Sequence, residues 1–512
     1  KGGMMWLWVG IGVVGVLLLI AVYDLVQKKH AILHNFPVLG HFRYLLEKIG
    51  PELRQYIVTD NDEERPFSRD QRRWVYASSK KENNYFGFGT DNDLELTPNY
   101  LILKQSTFPH VDPTKDPTHP LPCAKVLGAA RGRKKAFRPA STVNVSAMSF
   151  GSLGRAAVEA MNRGCAIAGC MHNTGEGGVA IHHQHGGDLM LQIGTGYFGC
   201  RDKNGDFSME TLLETISNNP TIKAIEIKLS QGAKPGLGGL LPKEKITAEI
   251  SAARGIPMNQ DCASPSRHSA FGNADSMLDF VESIAGTTGL PVGIKSAVGQ
   301  LDFWRDLADQ MADGARGVDF ITIDGGEGGT GASPLVFADH VALPFNLAFS
   351  RVFSIFSHAG LSDRVVFIGS AKLGFPMDAL FAFGLGCDMI SVAREAMLSI
   401  GCIQAQNCHT GHCPAGVATH NEWLMKGLDP TLKAARLANY IVTLRYEILR
   451  LCHAAGFCHP AMVTTDHFEI LDGQLGTTSF KGAFGYERVN QAPCEKDCEK
   501  ITTIMSQSWQ GR

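Results

Sequence analysis

FITIDGGEGGTGASP, residues 320–334, sets a short β-branched and apolar run directly before a glycine-rich turn. Phe320–Ile323 has the length and residue types of a strand, and Gly325–Pro334 offers a ligand a row of backbone N–H groups. The turn is not a Walker loop, because no Gly-Lys-Ser/Thr follows, and it lacks the Gly-x-Gly-x-x-Gly frame of a dinucleotide-binding βαβ unit. On either side the same order recurs. Strand-like runs occupy Thr142–Val145, Ile167–Met171, Ala224–Leu229, Ile256–Asn259, Val292–Ile294, Val365–Ile368 and Met389–Val392. Helical patterns at Arg155–Arg163, Ile246–Ala253, Ala274–Ala285, Phe303–Ala312 and Pro376–Phe383 alternate with them. Eight strand-like runs with helices between them predict an α/β fold, a (β/α)8 TIM barrel; a doubly wound open sheet fits the same pattern.

A barrel places its chemistry just after the strands. The unusual polar residues fall there: Ser146-Ala147-Met148-Ser149, Asn173 to Glu176, Gln231, Asp261, Lys295, Asp324 to Gly326, Gly369-Ser370 and Ala393-Arg394. Two more glycine-rich segments, 173–178 and 234–239, also follow predicted strands, which favours a binding face over three unrelated turns. The last two strand ends, Gly369-Ser370 and Ala393-Arg394, are the usual barrel position for a cofactor phosphate, where Arg394 would add a bidentate contact. Lys295 ends VGIK and either stabilises negative charge at the mouth or is an exposed strand-end lysine. Glu176 shuttles a proton if burial raises its pKa; otherwise it is a solvated carboxylate. Asp261 and His268 read as polar scaffolding, and His182, His183 and His185 as a solvated loop.

The formal net charge of −2 and the lack of a basic run give no support for a nucleic-acid partner, and none is expected. Thirteen scattered cysteines in 512 residues point to reduced thiols, not a secreted disulfide framework. Met4 to Tyr23, MMWLWVGIGVVGVLLLIAVY, carries no charge and is long enough for a membrane-spanning helix, with Trp6, Trp8 and Tyr23 near its ends. Lys28 and Lys29 follow, favouring a single-pass inner-membrane anchor with the remaining chain in the cytoplasm; a signal peptide is the rival reading. Residues 24–95 read as a juxtamembrane collar in water, with a short amphipathic helix at Leu45, Leu46 and Ile49 before Gly50-Pro51. The barrel is expected over 96–430, and a helical to irregular extension over 431–512.

CIQAQNCHTGHCPAGVAT, residues 402–419, holds Cys402, Cys408 and Cys413 at C-x5-C-x4-C spacing. Thiolates are the ligands of iron–sulfur clusters, and three suit a cluster lacking one corner iron. Spacing alone leaves that reading level with three separately buried thiols.

Together these pieces resemble the FMN-binding synthase domain of glutamate synthase. SAMSFGS (146–152), NTGEGG (173–178), QGAKPGLGGLLP (231–242), DCASP (261–265), GIKSAVG (293–299), DGGEGGTGASP (324–334) and the cysteine loop carry the resemblance. It implies FMN in a barrel beside a 3Fe–4S cluster on Cys402, Cys408 and Cys413. The flavin would be surrounded by Ser146, Ala147, Met148, Ser149, Gln231, Lys295, Gly326, Gly369, Ser370, Ala393 and Arg394, with Lys295 and Glu176 as catalytic residues. The implied reaction reduces 2-iminoglutarate, formed from 2-oxoglutarate and ammonia, to glutamate. The implied partners are the 2-oxo acid with ammonia or an amine, an electron donor such as ferredoxin or a membrane redox protein, and a second copy of the chain.

Two departures stand out. An apolar run occupies the end where full-length members carry a glutaminase domain, so ammonia is expected free or from a partner. The seventh strand ends in GSAKLG (369–374), where the family has a Gly-Gly-Leu-Arg type of turn. Two alternative functions are an N-methylglutamate synthase-like subunit using an amine, and a membrane-tethered electron carrier. With no Rossmann signature, NAD(P)H is not expected to bind this chain directly.

Overall fold

The structure is a computed structural model and describes residues 2–27, 31–53, 62–85, 87–111, 116–241, 243–489 and 493–510. Lys28, Lys29 and Pro242 lie outside the described residues. The chain forms two compact units, residues 1–73 and 74–512.

The first unit opens with α1 (Gly2–Val26), followed by α2 (Ala31–Asn35) and α3 (Leu39–Leu53). Among the described residues one helix, spanning Gly3–Val26, is long and apolar enough to cross a membrane, and its apolar window is not buried. The helix expected at Leu45–Ile49 begins earlier and runs through Gly50-Pro51 as α3. The division between the units falls within α4 (Arg69–Lys80).

In the second unit eight parallel strands close a barrel: β1 (Val143–Val145), β2 (His172–Asn173), β3 (Leu189–Ile193), β4 (Ile222–Lys228), β5 (Val292–Ser296), β6 (Phe320–Asp324), β7 (Val366–Ser370) and β8 (Met389–Val392). Closure is made by β8 on β1, with Val392 opposite Val145. Every residue of β3, β5, β6 and β7 is buried, as expected of parallel strands covered on both faces. One end of the barrel is filled by Met171, Met190, Ala224, Phe320, Val366 and Met389, packed against Cys123 and Leu127 from the segment before β1. The opposite end carries the loops described below.

The predicted barrel is therefore present, but two of the eight predicted strands are wrong. Ile167 and Ala168 belong to α5 (Arg155–Ala168), which ends at left-handed Gly169, and β2 starts only at His172. Ile256–Asn259 is a loop after the helix Ala248–Arg254, ended by left-handed Gly255. The strand that was missed is β3, LMLQI, whose polar Gln192 breaks the apolar run. Gln192 is buried because it donates to Glu226 inside the barrel, a partner invisible in local sequence.

The chain after the cysteine loop is integral to this unit. The helix α6 (Pro430–Ala454) lies on α5 so closely that a Cβ on Gly164 would stand 2.8 Å from Leu437. Asp429 caps α6 by accepting from Thr431 N, and Arg445 donates to the C-terminal carbonyl of Ala168 on α5. No disulfide forms among the described residues.

Candidate active site

The interior of the barrel is polar at one level. Glu226 on β4 accepts from Asn173 Nδ2 (2.8 Å), Gln192 Nε2 (2.7 Å) and Thr322 Oγ1 (2.6 Å). One buried carboxylate thus ties β2, β3, β4 and β6 together just below the mouth.

Two positions further along β4, Lys228 reaches the mouth. Its Nζ lies 3.0 Å from Glu176 Oε1 and donates to Gln231 Oε1 at 2.7 Å. Glu176 is the hub of the site. Burial pushes its pKa up, but Lys228, Lys234 and Arg254 together outweigh burial and hold it below the usual carboxylate value. The condition set for a proton shuttle, a pKa raised by burial, is therefore not met in this structure; Glu176 stands as an anion that organises cations. Lys234 and Arg254 are nearly buried. Burial lowers the Lys234 pKa, and neighbouring Lys228 lowers it further. Arg254 Nη2 donates to Ser149 Oγ (3.4 Å) and Phe150 O (3.3 Å), joining the β1 loop to the end of the helix Ala248–Arg254. Its guanidinium also lies over the Phe198 ring, 5.2 Å from the centroid.

Lys295, expected at the mouth, is a buried residue of β5 with Nζ 3.7 Å from Asp324 Oδ1. Asp324 Oδ2 in turn accepts from Gly232 N at 2.8 Å. Four cations, Lys228, Lys234, Arg254 and Lys295, therefore face two carboxylates, Glu176 and Asp324, which suits an anionic ligand. Asp261 accepts from Lys243 N, and His268 bridges Tyr197 Oη and Lys228 O, so both act as scaffold. The expected solvated histidine loop is instead packed inward: His182 and His183 are buried, with His182 against Phe150 and His183 Nδ1 accepting from Ala180 N.

Backbone approach at the mouth needs glycine. A Cβ on Gly232 would lie 1.7 Å from the Gly325 carbonyl oxygen, so the loop after β4 and the 325–334 loop meet only because that side chain is missing. Gly232→Ala should separate these loops and lower turnover about tenfold to a hundredfold, since misplacement by about 1 Å has that effect. The check is kcat/KM alongside the melting temperature. Unchanged kinetics would show that the contact does not position the site.

The last three strand ends are tied together. Gly325 N donates to Ser370 O, and Arg394 Nη2 donates to Glu327 O at 2.5 Å. Ser146 N donates to Val392 O, which brings the 146–149 segment beside Ala393. Gly369 faces the helical layer, where an added Cβ would meet Leu373 and Phe345, so only its backbone is available to a ligand. In the GSAKLG turn Lys372 adopts a left-handed φ of 49°. Beside it, burial pushes the Asp378 carboxyl up to about 6; Lys372 opposes this, and Glu395 and Glu327 reinforce it. An acid with a folded pKa above its unfolded value is most favourable when protonated. Its stability contribution is complete below about pH 4 and is lost as pH rises through about 6. Asp378→Asn should therefore raise stability by about 1–3 kcal/mol at pH 8 and leave it unchanged at pH 4, read by thermal melts at both values. An equal effect at both would remove ionisation as the cause.

The cysteine loop reaches the mouth through the turn after β1. Gly154 N donates to Val417 O (2.9 Å), and His420 Nε2 bonds Gly151 O (3.0 Å). Cys402 and Cys408 are partly exposed and Cys413 is buried. Lys245 donates to Cys408 O at 2.7 Å, and its charge acts on the Cys408 and Cys413 thiols. Tyr76 Oη donates to Cys402 O. Among the described residues no three His, Cys, Asp or Glu side chains converge on a single ion position. A cluster takes each thiolate on its own iron, so three thiols on one loop with a cation beside two of them suit that donor chemistry.

A closed (β/α)8 barrel with a cation-rich mouth, to which a three-cysteine loop is stitched, is the class the geometry defines. Sequence relatives give the family. A profile described as a conserved region in glutamate synthase matches residues 121–458. A glutamate synthase large subunit-like protein of Bacillus subtilis is 38% identical over 497 residues, covering 90% of this chain and 94% of that one. An archaeal glutamate synthase (NADPH) of Methanocaldococcus jannaschii is 34% identical over 317 residues, 61% of this chain and 59% of its own length. Among solved structures, a mutant chimera of (S)-mandelate dehydrogenase superposes with TM-score 0.45 at 12% identity, covering 78% of this chain and 98% of that one. The chain belongs to the glutamate synthase family and is an oxidoreductase of glutamate synthase type.

The sequence reading missed Lys228, Lys234, Arg254 and Glu226 as site residues. Charged Lys228 and Glu226 inside the predicted strand Ala224–Leu229 were the available signal, because a barrel strand seldom buries charge without a partner.

Proposed function

We propose that the barrel mouth binds FMN and 2-oxoglutarate and reduces 2-iminoglutarate, formed with ammonia, to glutamate. The observation that carries this reading is the excess of buried and half-buried cations around Glu176, which suits a dicarboxylate 2-oxo acid. Lys228, Lys234 and Arg254 would bind and orient the two substrate carboxylates. Gln231 and Glu176 hold Lys228 in place, so its charge stays aimed into the mouth. Lys295 is held by Asp324 where negative charge on a ligand would need a cation. Ser146 to Ser149, Gln231, Lys295, Gly326, Gly369, Ser370, Ala393 and Arg394 would hold FMN, and Cys402, Cys408 and Cys413 a 3Fe–4S cluster. When bound, FMN supplies a hydride equivalent to the imine carbon, and the cluster supplies single electrons. The membership of the family and the grouping of these segments at one barrel end support both assignments. In this reading α1 anchors the chain in the inner membrane with the barrel in the cytoplasm, supported by its length, apolarity and exposure.

The test is protein reconstituted without oxygen and assayed for iron and flavin. It is then reduced with dithionite or ferredoxin and given 2-oxoglutarate with ammonia or methylamine. Glutamate is the expected product with ammonia. Reoxidation of the protein without any nitrogen donor, or N-methylglutamate as the preferred product, would sink the glutamate reading. Cys408→Ser should lose iron and ferredoxin-driven turnover together; turnover with ferredoxin by an iron-free variant would end the cluster assignment.

A further inference from the structure

Six large apolar residues of α3, Leu39, Phe42, Leu45, Leu46, Ile49 and Leu53, are all exposed, from 38% for Ile49 and Leu53 to 76% for Leu39. At about 100° per residue they fall within one arc of about 120°. Arg43, Tyr44 and Lys48 lie on the other side of the helix. Single exposed apolar residues are ordinary; a continuous face of six marks a surface that something covers.

The same unit shows what lies beside that face. The apolar run of α1 ends at Tyr23, and Asp24 is its first charged residue. Asp24 is buried, its Oδ2 accepts from Val38 N at 2.9 Å, and its Oδ1 lies 2.8 Å from His41 Nε2. Val38 precedes α3 in a left-handed turn, φ 65°. The start of α3 is thus clasped to the point where α1 changes from apolar to polar. If α1 spans a bilayer, that point is the membrane surface, and a helix held there meets lipid with whatever face it leaves bare.

We propose that α3 is a second membrane contact, an amphipathic helix lying in the bilayer interface with its Leu39–Leu53 apolar face among the acyl chains. The occupant is lipid because the clasp at Asp24 holds the start of this bare face at the polar end of the segment proposed to cross the bilayer. The inference rests on the reading of α1 as a membrane anchor, and it replaces the solvated collar expected for this stretch with a second lipid-binding element.

The experiment uses the full chain in nanodiscs of phosphatidylethanolamine and phosphatidylglycerol. The photoreactive residue p-benzoylphenylalanine replaces Leu17 in α1, Phe42 on the apolar face of α3, or Tyr44 on its opposite face, one at a time. After illumination, lipid adducts are counted by mass spectrometry. Leu17 and Phe42 positions should give comparable lipid adducts and the Tyr44 position about fivefold fewer, as an interfacial helix buries one face. Adducts at position 17 but none at 42 would overturn the α3 proposal and leave the anchor standing. Protein–protein adducts at 42 would mean that a second copy or another protein covers the face, which also overturns it. Equal yields at 42 and 44 would deny the orientation. No lipid adduct at either 17 or 42 would remove the anchor and the proposal together.

Discussion

Replacing Glu226 by Leu should cost about 3–5 kcal/mol, whereas Glu226→Gln should cost about 1 kcal/mol or less. The difference follows from what each residue offers the three groups that point at the carboxylate. Leu removes the acceptor of Asn173, Gln192 and Thr322. All three are buried, so their donors lose a partner without gaining water. Gln keeps one carbonyl oxygen, which accepts from Asn173 and Gln192 as Oε1 does now. Its new amide donates to Thr322, whose hydroxyl rotates from donor to acceptor. Thermal melts of the three proteins at one pH measure this. A Leu variant as stable as the parent would mean that water replaces the carboxylate, and an equally damaged Gln variant would mean that charge, not hydrogen bonding, holds the four strands.

Lys228→Met should lower kcat/KM for 2-oxoglutarate by about a hundredfold to a thousandfold, the usual effect of removing one aimed charge from a closed site. Lys228 is the foremost cation holding the Glu176 carboxyl down, and burial then acts with less opposition. The Glu176 pKa therefore rises, and any acidic limb of the pH–rate profile that it governs moves to higher pH. Calorimetric binding of 2-oxoglutarate gives a readout independent of turnover. Unchanged binding and a fixed acidic limb would remove Lys228 and Glu176 from substrate recognition. The fold should survive, because Lys228 lies at a strand end and its partners are mouth residues, unlike those of Glu226.

The strands that were readable are those whose runs are continuous and apolar. FITID and VGIK announce themselves because both faces of β6 and β5 are covered and almost every position is apolar. LMLQI was passed over because Gln192 is satisfied by Glu226, more than thirty positions away. The run 167–171 was misassigned because a buried helix end and a buried strand have the same composition over five residues. The glycine-rich loops were legible as backbone needing close approach, and Gly232 against Gly325 shows one such approach, between two loops. The acid–base role first considered for Glu176 was not settled by its loop, since its ionisation depends on Lys228, Lys234 and Arg254, which come from separate parts of the chain.

Taken alone, the sequence narrowed the fold to a (β/α)8 barrel or an open doubly wound sheet, marked the strand ends that carry the loops, and showed three closely spaced cysteines and one apolar run long enough to span a bilayer. These are local properties: periodicity, glycine content, ligand type and length. Tertiary structure alone decided that Glu226 is the polar tie inside the barrel, that Glu176 is an ionised hub for three cations, and that the cysteine loop joins the mouth through Gly151 and Gly154. It also decided that α3 bares an apolar face beside Asp24. Each of these depends on which distant groups share a buried space, and electrostatic and hydrogen-bond partnership there has no local signature in the chain.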